Sequence, residues 1–110
     1  MYTHEEEKQT LDVLDAYESK HPKTHYIMEF AEGDSYECLY LDEVRDNNRQ
    51  KYNSPEYDEF WTAYCSVVQV IEPGPNRVPG SDSLIALNYR HFPVRITTVD
   101  DTVIFPVENS

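Results

Sequence analysis

Apolar and polar positions along this chain change period once. From Glu5 to Ser19, Leu11, Leu14 and Tyr17 recur at intervals of three with Val13 beside them, and acids fill most of the other positions. That spacing predicts a helix with a narrow apolar stripe, one that must lean on something larger. Glu5, Glu6 and Glu7 suit the positive end of the helix, and His21-Pro22 stops it.

Beyond the proline the period becomes two. Tyr26, Met28 and Phe30 alternate with His25 and Glu29, and Glu32-Gly33-Asp34-Ser35 supplies a turn. Residues 36–44 then form the second arm of a hairpin, with Leu39 and Leu41 on one face and Tyr36, Cys38 and Tyr40 on the other. Phe60 to Ile71 is twelve residues without charge, glycine or proline, which predicts a central strand. Trp61, Ala63, Cys65, Val67 and Ile71 would point one way, and Phe60, Tyr64, Val68 and Val70 the other, so both faces would need cover.

Residues 73–83 read as a loop, carrying three of the seven prolines and two of the three glycines. Alternation resumes through Ile85, Leu87 and Tyr89. Pro93 breaks it before a strand over 94–99, and Asp100-Asp101 predicts a tight turn into Thr102-Val103-Ile104-Phe105. Asp42 to Glu59 is the longest polar stretch, with Ser54-Pro55-Glu56 predicting a short helical turn near 55–60. These elements give an α+β fold: an N-terminal helix packed on a mostly antiparallel sheet of about five to six strands.

Length and charge narrow the picture. One hundred and ten residues fit a single domain, 1–110, able to bury roughly 65% of the surface its unfolded chain exposes. The formal charge is −12, and it is uneven: residues 1–59 hold 16 acids and 6 bases, residues 60–110 hold 5 and 3. Such a field disfavours nucleic-acid backbones and anionic membranes and favours a basic protein partner. No run approaches the ~20 apolar residues of a membrane helix, and the acidic N-terminus lacks the pattern of a secretory signal, so the cytoplasm is the default location.

Motifs for chemistry are scarce. Cys38 and Cys65 form no C-x-x-C pair; a register placing them opposite each other would bring the thiols near disulfide distance, while the reducing cytosol favours two buried thiols. His21 and His25 are four apart, but Pro22 removes the helix that would make them a metal pair. His4 reads as part of a mobile terminus. Asp42, Glu43 and Asp46 lack the spacing of a calcium loop, and three glycines leave little room for a phosphate loop. No catalytic residue, metal or cofactor is expected.

The most unusual count is nine tyrosines, several of them set through the acidic middle of the chain. Tyrosine tolerates half-wet positions and is enriched where proteins bind one another. The leading expectation is therefore a non-enzymatic interaction or inhibitor-type module that binds a basic partner through Tyr40, Asp42, Glu43, Tyr52, Tyr57, Asp58 and Glu59. The alternative is a small-molecule binding module or enzyme with a pocket between sheet and helix lined by Tyr26, Trp61, Tyr64 and Tyr89. A homodimer along a strand edge is compatible with either.

Overall fold

A computed structural model describes residues 4–47, 49–74 and 83–106. Two helical segments, α1 (Glu6–Gln9) and α2 (Leu11–Lys20), precede six strands: β1 (His25–Glu29), β2 (Ser35–Asn47), β3 (Glu59–Glu72), β4 (Leu84–Leu87), β5 (Arg95–Thr98) and β6 (Val103–Phe105). All pair antiparallel, in the order β4-β3-β2-β1-β5-β6, so the expected fold class holds. The single predicted helix is broken at Thr10, whose φ of −117° and ψ of −83° leave helical space while its hydroxyl donates to the Glu6 carbonyl.

The apolar stretch at 60–71 is not the centre of the sheet. It lies in β3, one place from the edge, and β2 and β1 hold the middle. Its length reflects pairing with the nearly equally long β2, through three irregularities that reset its faces. Cys38 stands opposite Val67 and Tyr40 opposite Cys65, so the two cysteines are offset by two residues and are not a facing pair; both are free and buried. Between Val67 and Val70 a bulge turns Val70 toward the core in place of Ile71, which is 45% exposed. A second bulge at Leu41 places Tyr40 and Glu43, three apart, on one face.

The core lies on the face carrying Tyr26, Met28, Tyr36, Cys38, Ala63, Cys65, Val67, Leu87, Ile96 and Ile104, and Leu11 and Leu14 of α2 close it. Burying each of those leucines contributes about 2 kcal/mol. Only this face carries the fully buried core: on the other, Ile27, Leu39, Tyr64 and Val68 are half-buried.

Helix α2 covers the Tyr26 end, where Tyr26 donates to Glu18 at 2.6 Å and meets the Tyr17 ring edge-on. The other end is covered by the segment between β4 and β5. That segment turns at Asn88–His91, buries Pro93, sets Phe92 edge-on to Phe105 at 5.0 Å and ties Val94 N–H to the Glu29 carbonyl. Asp100-Asp101 makes the expected turn, with Asp101 at φ 71°. Turns also occur at 52–56, but strand begins at Glu59, so the helical turn expected to reach residue 60 stops short. The loop expected at 73–83 falls mostly outside the described residues.

Candidate functional site

Three clusters of polar side chains stand out, and the residues Tyr40, Asp42, Glu43, Tyr52, Tyr57, Asp58 and Glu59 are divided among them and the surface around them. The first is on an arm. β1 stops pairing with β2 at Leu39, and β4 stops pairing with β3 at Ala63, so the ribbon of residues 41–47 and 59–62 runs on beyond its neighbours. On its core side Tyr40 lies between two carboxylates, 3.3 Å from Asp15 and 3.1 Å from Glu43. Burial, then Glu43 and Asp15, push its hydroxyl far above the ordinary tyrosine range. Asp42 is exposed on the opposite side.

At the tip Tyr52, 82% exposed, tilts against Tyr57 at 5.3 Å. Tyr57 donates to Glu59, which also takes Arg45 at 3.0 Å, while Arg49 lies 3.9 Å from Asp46. Arginines of the arm itself thus neutralise part of the acidic patch.

Asp58 belongs to a second cluster. Its carboxylate takes His4 at 2.7 Å and the Tyr89 hydroxyl at 2.9 Å, with Arg90 3.8 Å away; the His4 and Tyr89 rings stack at 4.1 Å. Burial opposes ionisation of Asp58, but the bonds from Tyr89 and His4 outweigh it and hold the carboxyl below its usual range. His4 is therefore docked against the first residues of β3 instead of lying in a mobile terminus. Beside it Glu7 is fully buried, accepting from His4 N at 2.8 Å and Trp61 N at 2.7 Å. A buried carboxylate here serves backbone donors where β4 no longer borders β3.

The third cluster lines a cleft of about 460 Å³ between the β1–β2 turn, β4 and the turn after it. Its walls are Phe30, Tyr36, Ile85 and Phe92, with Ala31 and Ala86 beside them and Glu32, Arg90 and His91 along the lining. Asp34 also lines it and is 3% exposed; its Oδ2 accepts from Tyr36 at 2.7 Å, and its Oδ1 has no donor among the described residues. Gly74 lies against this carboxylate, where a Cβ would come within 2.6 Å of the Asp34 Cβ.

A shallower groove, about 380 Å³, runs between α2 and β6 past Val13, Tyr17 and Val103. Neither is lined by Tyr26, Trp61, Tyr64 or Tyr89, the residues expected to enclose a pocket between helix and sheet.

Elsewhere on the sheet His25 bonds Glu37 at 2.6 Å, and Gln69 donates to the same carboxylate at 2.7 Å, which together lower its pKa. His21 ends α2 with its ring on Tyr17, so it shares no helix face with His25. Among the described residues no group of three or more His, Cys, Asp or Glu is placed to hold a metal ion. No described helix is long and apolar enough to cross a membrane.

Glu7, Asp15, Asp34 and His4 carry these clusters without having stood out in the sequence. For Asp34 a signal existed: it shares the parity of Tyr36 and Cys38, which places a carboxylate on the apolar side of a strand. Protein-family models, characterised proteins and solved structures give no match to the chain, so geometry alone carries the functional reading.

Proposed function

We propose that this is a non-catalytic recognition domain that binds a basic protein segment along the outer edge of β2. The observation that supports the reading is the one-sided arm: among the described residues, residues 41–47 have a strand partner only in β3, and Leu41 is 53% and Val44 36% exposed between Asp42, Glu43 and Asp46. Natural sheets usually blunt such an edge with lysine or proline. This edge carries Asp42, Glu43 and Asp46 around a single arginine, Arg45, a negative excess that suits an added strand bearing lysine or arginine. Tyr52 at the tip offers an aromatic anchor.

Asp58 and Glu59 serve the arm differently, Asp58 tying its base to His4 and Tyr89 and Glu59 pairing with Arg45 within it. The informative substitutions are therefore Asp42→Lys and Leu41→Lys, both at exposed positions. Immobilised protein is challenged with native lysate at low salt and eluted on a salt gradient. A single basic protein retained by the parent and released by moderate salt, but lost from both variants, supports the reading. Equal retention by the variants refutes it, as does a self-dimer that buries the same edge in sedimentation.

A further inference from the structure

We propose that the cleft beside Asp34 is a binding site for a small organic cation, a primary amine on an aromatic or short aliphatic body. This site is separate from the β2 edge and stands whether or not that edge binds a partner.

Its size, about 460 Å³, lies within the range of small-ligand sites, and Phe30, Tyr36, Ile85 and Phe92 give it apolar walls beside the polar Glu32, Asp34, Arg90 and His91. The polar group that sets the ligand's chemistry is Asp34. At 3% exposure its carboxylate has left bulk water; among the described residues its Oδ2 accepts from the Tyr36 hydroxyl and its Oδ1 has no donor. A buried carboxylate ordinarily collects several donors, because each unmet lone pair forfeits hydration without replacement.

The cations on the lining do not fill this gap. Arg90 donates from Nε to Tyr89 and pairs with Asp58, and neither it nor His91 bonds Asp34. Gly74 leaves room for the Asp34 side chain, since a Cβ there would come within 2.6 Å of the Asp34 Cβ. An ammonium brings three donors and a compensating charge, and the rings of Phe30, Tyr36 and Phe92 accept its hydrocarbon part and attract its charge.

The experiment is an amide-shift titration at pH 7 with phenethylamine, beside phenylacetate and 2-phenylethanol as anionic and neutral bodies of similar size. Saturable shifts at Ala31, Asp34, Tyr36, Ala86 and Phe92 with the amine alone are expected, at a Kd of about 1 mM for a ligand with one ion pair. Asp34→Asn should weaken binding about tenfold. Ala86→Trp, which narrows the cleft and leaves the carboxylate intact, should abolish it and decides the matter if Asp34→Asn does not fold.

Nα-acetyl-lysine methylamide run in parallel separates a free amine from a lysine side chain: it should bind more weakly than phenethylamine. Tighter binding of the lysine derivative, equal shifts with all three bodies, no saturable shift, or unchanged affinity in a folded Asp34→Asn protein would overturn the proposal.

Discussion

Replacing Glu7 by alanine should be among the most damaging single changes in the chain, although Glu7 sits in a run of three glutamates and touches no proposed site. The carboxylate is fully buried and accepts from the backbone N–H groups of His4 and Trp61 at 2.8 and 2.7 Å. Hydrogen bonds to a charged group contribute about 1.5–3 kcal/mol each. Losing both, with some relaxation of the terminus, gives about 3–5 kcal/mol against a typical stability of about 5–15. For a domain of this size about 4 °C accompanies each kcal/mol, so the melting temperature should fall by about 12–20 °C.

Glu7→Gln keeps one oxygen acceptor but turns an amide NH2 toward a backbone donor, and should cost about half as much. Glu6→Ala, at an exposed position, should stay within about 0.5 kcal/mol. Thermal and urea unfolding followed by Trp61 fluorescence give the stabilities, and hydrogen exchange at the Trp61 amide reports the bond itself. If Glu7→Ala melts within a degree or two of the parent with unchanged Trp61 exchange, the carboxylate does not hold this edge and the reasoning fails.

Other expectations follow from the same geometry. Glu37 is held below its normal pKa chiefly by His25, so its contribution to stability is complete above the unfolded carboxylate value, roughly 4.3, and is lost as pH falls through the lower folded value. A carbon-detected titration should show that midpoint rise toward the unfolded value in His25→Ala. Burial pushes the Cys38 thiol up to about 12, and Cys65 is raised for the same reason. Both should resist a disulfide reagent at pH 8 in the folded protein and titrate as two free thiols in denaturant; a disulfide, or rapid labelling without unfolding, would contradict the register. Asp101 holds φ 71°, so Asp101→Gly should raise stability by about 0.5–1 kcal/mol in urea unfolding, and a loss would mean its side chain matters more than the backbone strain it relieves.

Periodicity made the strands legible, because each strand's alternation is written locally in residues such as Tyr26-Met28 and Ile85-Leu87. It did not reveal lateral order. Phe60 to Ile71 looks central because it is the most apolar run, yet its second face is only half-buried and the shorter β1 lies deeper in the sheet. Bulges at Leu41 and between Val67 and Val70 were also invisible, since a bulge answers to the partner strand, and so the faces of Ile71 and Glu43 came out only in three dimensions.

The sites were harder still to read. Nothing in Glu5-Glu6-Glu7 distinguishes the one glutamate that faces inward, and Asp34 reads as a turn residue until its neighbours fold over it. The arm's tyrosines and acids are conspicuous in the sequence, but it does not tell Asp42, which is open to solvent, from Asp58, which is bonded to His4 and Tyr89.

The segment from Asn88 to Val94, described above as cover for the core, also sets the order in which the domain can assemble. Strands β1, β2 and β3 each pair with the strand that follows them, so the first four strands can zip together through nearby contacts. β5 must instead find β1, bringing Arg95 to Glu29 across 66 positions of chain. Such a closure carries a larger entropic barrier than any hairpin in the molecule. The four-strand meander is therefore the early-forming part, and the arrival of the β5–β6 hairpin beside β1 and under α2 is the late step. Until it arrives, the free edge of β1 stays open to a wrong neighbour, which makes this junction the point where folding and aggregation compete.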